Sequence, residues 1–328
     1  MQFERAWGVM LLAGSLLLAG CTVSRQDASE NTTSESGGEL SGTILIDGSS
    51  TVYPVSQAVA EEFMTQHTGV QISVGTSGTG GGFKKFVIGE IIINDASRPI
   101  KEEEIARAKE NGIEFLELKV AVDGLSVIVN PKNDWVDCLS VEQLRKLWEP
   151  ESKVSRWSDL NPRWPAEEIK LYGADTESGT FDYFTEAING KEGASRSDYT
   201  PSANDNVLVT GVSGDLYSLG YFGYAYFAEN QEKLKRLSVS ATEGGTCVFP
   251  TPETIESGEY SPLSRPLYLY VNKAALKRPE VAAFLRYFLN EGQEFVGEVG
   301  FIRVGKTTLE QARQELEEAI KSVNSGKS

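Results

Sequence analysis

Three times along the chain, a short apolar run ends in a cluster of Ser, Thr and Gly that opens a helix-like segment. The clusters are Gly48-Ser-Ser-Thr51, Ser77-Gly-Thr79 and Ser178-Gly-Thr180. Strand, glycine-bearing turn and helix form the repeating unit of a parallel α/β sheet, whose loops gather at the strands' C-terminal ends. Taken singly, each cluster is a helix N-cap, a position that favours Ser and Thr. Three of them at one sheet edge aim hydroxyls and backbone N–H groups at a common place, as an oxyanion pocket requires. The middle cluster sits within Gly75-Thr-Ser-Gly-Thr-Gly-Gly-Gly82, where five of eight residues are glycine. Glycine adds no apolar surface, so this stretch is expected to supply freedom of φ and bare donors rather than packing. On its own it reads equally as a flexible loop.

A fourth segment, Ala96-Ser-Arg-Pro99, follows an apolar strand and precedes a helix-favouring stretch. Arg98 would therefore reach the same edge and offer a fork of donors to a tetrahedral oxyanion. Elsewhere the default for an arginine is a surface ion pair. Arg107, on a charged helix from Lys101 to Asn111, is expected to be of that kind.

The chain's 328 residues are enough for two domains with proper cores, and 40% hydrophobic with 24% charged residues describes an ordinary globular protein. A net charge of -16 with no basic stripe disfavours nucleic acid and anionic membranes as partners. His67 is the single histidine, and no Cys/His cluster exists, so neither a metal site nor a histidine-dependent triad has material to be built from. Gly-x-Ser-x-Gly is absent around Ser178, and no Gly-Lys-Ser/Thr follows the glycine loop as a P-loop needs. No enzyme activity, cofactor or metal is expected. An adhesin or structural surface lipoprotein is the plain alternative, against which the convergent loops argue.

The N-terminus is a targeting segment. Arg5 is a weak positive start, and Val9 to Ala19 is an apolar run suited to a signal peptide and too short to span a bilayer. Leu18-Ala-Gly-Cys21 resembles a bacterial lipobox, which implies a signal peptide over residues 1–20, cleavage before Cys21 and lipid attachment to its thiol. The alternative is a conventional signal peptide with Cys21 incidental. Residues 21–41 are polar and read as a disordered tether. Cys138 and Cys247 remain in the mature chain, to pair in an oxidising compartment or to stay as two buried thiols.

Beyond the tether the pattern alternates. A strand at Thr43–Ile46 leads to a helix from Val52 to His67, with Val55, Ala58, Val59 and Phe63 on one face. A strand Val70–Val74, a helix from Phe83, a β run Glu90–Asn94 and a strand near Phe115–Lys119 follow. Gly124 to Pro131 and Ser264 to Asn272 are buried strands expected to cross between lobes, and Gly220 to Phe227 reads as an aromatic strand.

These motifs together resemble the solute-binding proteins of bacterial phosphate ABC transporters, the cyanobacterial members most of all. The likeness rests on Asp47 to Pro54, Gly75 to Phe83, Asn94 to Ile100, Ala121 to Asn130, Asp175 to Phe181 and Gly220 to Tyr224. It implies a two-lobed class II periplasmic-binding-protein fold, each lobe a mostly parallel sheet flanked by helices. Residues 42–127 with 266–328 would form one lobe and 128–265 the other, closing over the ligand in the cleft. By motif, the phosphate contacts would be Ser50, Thr51, Ser77, Gly78, Ser97 and Arg98, with Ser178, Gly179 and Thr180 from the second lobe. The resemblance further implies a periplasmic monomer that delivers phosphate to membrane permease subunits. A binding protein for sulfate or molybdate, or a phosphate sensor or scavenger, is the alternative.

Two departures stand out. Ile92 occupies a position that is commonly acidic in the family, and no arginine lies just upstream of Ser178. The carboxylate that would accept the phosphate proton is open between Asp47, Asp95 and Asp175, each of which also reads as an N-cap or turn residue.

Overall fold

A computed structural model describes residues 39–326 apart from Glu177; Cys21 and the targeting segment lie outside the described residues. The chain runs β1 (Ser41–Gly48), α1 (Tyr53–Gln66), β2 (Gly69–Val74), α2 (Thr79–Phe86), β3 (Ile93–Ala96), α3 (Glu102–Glu110) and β4 (Phe115–Val129). It continues through β5 (Cys138–Ser140), α4 (Val141–Trp148), α5 (Trp157–Leu160), β6 (Lys170–Ala174), α6 (Gly179–Asn189), β7 (Thr200–Ser202), α7 (Asp205–Gly214) and β8 (Ser218–Gly223). Next come α8 (Tyr224–Glu229), β9 (Lys235–Arg236), β10 (Ser238–Ser240), β11 (Cys247–Val248), α9 (Pro252–Glu256) and β12 (Ser264–Asn272). The last elements are α10 (Pro279–Leu289), α11 (Gln293–Glu298), β13 (Ile302–Arg303) and α12 (Lys306–Asn324).

The main sheet has the order β2-β1-β3-β12-β4-β8-β6-β7, with β13 and β9 also pairing to β4. β1 lies parallel to β2 and β3, and β6 lies parallel to β7 and β8. Between these parallel ends, β12 runs antiparallel to both β3 and β4, and β4 antiparallel to β8. A small sheet, β11-β10-β5, is closed by a disulfide between Cys138 and Cys247.

Two large hydrophobic cores flank the antiparallel centre. One gathers Ile44, Val59, Phe63, Leu269, Phe284 and Leu316; the other gathers Val127, Trp148, Phe184, Tyr221 and Leu263. β4 feeds both: Leu118, Val120 and Ala121 pack into the first, and Val122, Leu125 and Val127 into the second. Each fully buried side chain of this size stabilises the fold by roughly 1.5–3 kcal/mol, so the two cores fix the strands' positions at the centre. α1 buries Val55, Val59 and Phe63 from one stripe, and Pro54 in its first turn supplies a preset φ.

Several boundaries differ from the sequence expectation. β4 is one strand of 15 residues where two were expected, because Val120 to Asp123 stays buried and Ala121 to Asp123 stays paired to β12, with a bulge at Val120. Residues 224–229 turn helical, although their aromatics favour strands; Tyr224 and Phe227 are buried from a helical turn, and tertiary packing overrides propensity. α2 begins at Thr79, inside the glycine run, and β3 starts at Ile93 and ends at Ala96, later than expected. β1 already begins at Ser41, within the stretch read as tether.

Candidate functional site

The loops that follow β1, β2 and β6 deliver the N-termini of α1, α2 and α6 to one region, and local chemistry sets each of them. Gly48 adopts φ +137°, and a side chain there would overlap the Asp95 carbonyl, so only glycine lets β1 turn against β3 here. Ser49 N–H donates to the Asp95 carbonyl at 2.9 Å, and the Thr51 N–H donates to Ser49 Oγ at 3.2 Å. The Asp47 carboxylate accepts from the Ser77 N–H at 2.8 Å, from the Gly48 N–H at 2.7 Å, and from Lys85 Nζ, tying the first two loops together. Burial alone would raise Asp47, but Lys85 and these N–H groups outweigh it and hold the carboxyl below its ordinary range.

At α2 the N-cap is Gly78, with φ +77°. The Gly82 N–H is bonded to the Gly78 carbonyl at 2.8 Å, so the N–H groups of the first turn point out of the helix end. Gly82 corrects the expectation that the glycines are not there for packing. A Cβ there would overlap Asn94 Oδ1 and stand 2.7 Å from the Gly48 Cα, so its bare Cα is what lets α2 seat on β1 and β3. Thr79 Oγ1 accepts from the Ser97 N–H at 3.2 Å and lies 3.1 Å from Ser97 Oγ.

At α6 the Ser178 hydroxyl accepts from the Phe181 N–H at 3.1 Å and donates to the Asp175 carbonyl at 2.9 Å, an ordinary N-cap. Gly179 is pressed against the first loop: a Cβ there would stand 2.7 Å from Thr51 Oγ1 and 3.0 Å from the Thr51 Cα.

Two adjoining cavities open around Thr51. The first, about 320 Å³, is lined by Ser50, Thr51, Ser77, Gly78, Ser97 and Arg98. The second, about 430 Å³, is lined by Ser178, Gly179 and Thr180, with Ser50 and Thr51 again on its wall. The motif residues thus divide into two groups that share the α1 loop.

Arg98 borders the first cavity with its fork closed. Nη1 and Nη2 donate to the two carboxylate oxygens of Glu104 at 2.9 and 2.8 Å, and the guanidinium lies over the Phe83 ring at 5.3 Å. Those hydrogen bonds to Glu104 raise the arginine further, and the same pairing holds Glu104 low against the upward push of burial.

Asp47, Asp95 and Asp175 line neither cavity. Asp95 is fully buried behind the α1 loop, with neither carboxylate oxygen hydrogen-bonded; the buried Ser56 hydroxyl is near enough to lower it slightly but not in bonding geometry. Burial pushes Asp95 up to about 8. Asp182, in the first turn of α6, is the aspartate on the first cavity's wall; partial burial and the neighbouring Glu192 raise it to about 6 against the pull of Arg265. Ile92 packs against the first core, outside both cavities. His67 stands at the C-terminal end of α1 with its ring 4.4 Å from Phe63.

Sequence reasoning missed Asp182 and one pair. Arg265 on β12 and Asp123 on β4 face each other in register, with Arg265 Nε 3.3 Å from Asp123 Oδ2. Arg265 lines the first cavity and Asp123 the second. Burial raises Asp123, and Arg265 offsets part of the shift. The available signal was the one charge in the β12 run, Arg265, and the one charge in the stretch Ala121 to Val129 of β4, Asp123.

Residues 33–291 match the family described as PBP superfamily domain. The chain belongs to the PBP superfamily. It is similar to the protein SphX of Synechocystis sp., 46% identical over 267 residues, covering 80% of this chain and 79% of that protein. It is also similar to the phosphate-binding protein PstS of Staphylococcus saprophyticus, 38% identical over 322 residues, covering 98% and 96% respectively. Among solved structures, it resembles a possible phosphate binding protein from Planctomyces limnophilus, with TM-score 0.83 and 56% identity over 85% of this chain and 99% of that one. For a PBP-superfamily chain, the mixed α/β sheet with helix N-termini gathered at Thr51 is the expected frame of a ligand site.

Proposed function

We propose that this chain binds inorganic phosphate outside the cytoplasm and delivers it to the membrane subunits of an ABC transporter. The observation that carries the reading is the meeting of three helix N-termini, those of α1, α2 and α6, around Thr51. A desolvated dianion is costly unless it is fully hydrogen-bonded, and these ends provide N–H groups and hydroxyls without a large excess of positive charge. The ligand set is Ser50, Thr51, Ser77, Gly78, Ser97 and Arg98 on one side, and Ser178, Gly179 and Thr180 on the other. The names of the PstS relative, a phosphate-binding protein, and of the Planctomyces limnophilus structure, a possible phosphate binding protein, support phosphate as the anion.

Residues 42–127 with 266–328 act as one lobe and 128–265 as the second, hinged within β4 and β12 where they pass between the two cores, with Val122 to Val127 of β4 already packed into the second core. Closure brings α6 onto an anion already held by the α1 and α2 loops; release requires reopening, and no bond is made or broken. A monomer is tethered through lipidated Cys21 by residues 21–40, since Ser41 opens β1. Asp182 accepts the proton that phosphate carries and repels sulfate, which has none to give.

Calorimetry on the mature protein at neutral pH tests this. Phosphate is expected to bind at one site, with sulfate and molybdate far weaker. Binding of sulfate or molybdate with no phosphate heat overturns the assignment.

A further inference from the structure

The two arginines at the site differ in what their guanidinium groups still offer. Arg98 has both Nη atoms committed to the Glu104 carboxylate, and Nη1 also donates to the Pro99 carbonyl at 3.0 Å. Arg265 meets its carboxylate only through Nε. Its Nη2 donates to Thr51 Oγ1 at 2.7 Å and reaches the Gly179 carbonyl at 3.5 Å, while Nη1 makes no hydrogen bond among the described residues. The group is held in place from below, with Cζ 3.7 Å from the Tyr183 ring centroid, and Tyr183 is itself fixed by its hydroxyl donating to the Pro262 carbonyl at 2.7 Å. Its side chain is only 12% exposed, so an ion in contact with it is little screened by water.

We propose that Arg265 is a direct anion-binding residue of this site, its Nη edge facing the ligand between the α1 loop and the N-terminus of α6, with Asp123 as its positioning residue. The inference rests on the phosphate reading above. An arginine carried on a crossing strand touches a loop from each side of the cleft, so one cation serves both groups of donors. Asp123 sits directly across the β4–β12 ladder and holds Nε, which turns the remaining edge towards Thr51 and Gly179. Hydrogen bonds from a charged donor to an anion are the stronger kind, and the planar fork matches a tetrahedral oxyanion better than an ammonium does.

Arg265→Gln and Arg265→Lys are measured beside the wild type by phosphate calorimetry and by thermal unfolding with and without phosphate. Arg265→Gln is expected to weaken phosphate by about 100-fold and to remove most of the phosphate-induced rise in Tm. Arg265→Lys, which keeps the charge and loses the fork, should weaken it by about tenfold. Either variant binding within about threefold of wild type overturns the proposal, by the scale of a single charged hydrogen bond. So does a variant with a lower ligand-free Tm that keeps the full phosphate-induced rise, since that is the mark of a purely structural arginine. A wild type that ignores phosphate overturns the functional reading and this inference with it; a loss confined to the variants supports both.

Discussion

The two sides of the cleft present the same device, a helix N-terminus, and build it by different means. On the α2 side the loop is set by close backbone approach: Gly48 turns against Asp95, Gly82 seats on Asn94 and Gly48, and the Asp47 carboxylate gathers the Ser77 and Gly48 N–H groups. Buried polar atoms of Asn94, Asp95 and Ser56 have no hydrogen-bond partner there. On the α6 side the helix is capped conventionally by Ser178 and ends at Gly190 in the left-handed region, with Phe184 stacked on Tyr221 at 3.7 Å beneath it. The α2 N-terminus is seated on its own sheet by contacts that leave no room for a methyl group; the α6 N-terminus is seated by a cap and an apolar underside, and its Gly179 crowds only the Thr51 loop across from it. The first side should therefore be the brittle one.

The sharpest way to break that contrast is a pair of glycine substitutions. Gly82→Ala places a methyl group into Asn94 Oδ1 and the Gly48 backbone, neither of which can swing aside, and is expected to cost about 3 kcal/mol or more of stability. Gly190→Ala meets nothing within 4 Å and suffers only from φ +77°, which costs about 1 kcal/mol. Urea unfolding of the two variants compares them directly. Equal losses would mean that the α2 side relaxes as freely as the α6 side.

Much of this was legible in the sequence, because helix capping and glycine turns are local. The three Ser/Thr clusters stand where the pattern predicts, at the heads of α1, α2 and α6. What escaped was non-local. Arg265 and Asp123 are 142 residues apart and meet only through the register of β12 on β4. From sequence, each is a charge in or beside a run read as a buried strand, with nothing to show that the two meet. The packing role of Gly82 escaped for the same reason, since it depends on Asn94 arriving from β3. Arg98 was recognisable as a residue of this edge, but its bidentate partner Glu104 was not singled out.

Arg98 bears on the comparison through ligand affinity. Arg98→Ala removes a cation from the α2 side and leaves Glu104, whose side chain is only 14% exposed, without its arginine partner. The expected result is about tenfold weaker phosphate binding. Arg107→Ala, on the exposed face of α3, should leave affinity unchanged. If Arg98→Ala matches Arg107→Ala, Arg98 serves the fold of the α2 side alone and leaves the anion to other groups.

The smallest expected effect concerns Asp95, the buried acid behind the α1 loop. Its folded pKa of about 8 lies well above that of an unfolded aspartate, about 3.9. Between those values the native state keeps a proton that the unfolded state has released, so stability falls as pH rises through this window. The contribution is fully present below about pH 4 and lost once Asp95 ionises near 8. Asp95→Asn cannot ionise, and should be more stable than wild type at about pH 9, by roughly 1–2 kcal/mol after allowing for an amide that is itself unpartnered. The advantage should be gone by about pH 3, where wild-type Asp95 is protonated in both states and only the amide's own cost remains. Asp182, on the cavity wall opposite, titrates near 6 among Glu192, Glu186 and Arg265, so its substitution should alter the pH profile of phosphate binding more than that of unfolding. Urea titrations of Asp95→Asn across this range decide the matter: a variant no more stable than wild type at the alkaline end means that the α2 side accommodates the ionised carboxylate, and its unpartnered polar atoms are not the weakness that sets it apart from α6.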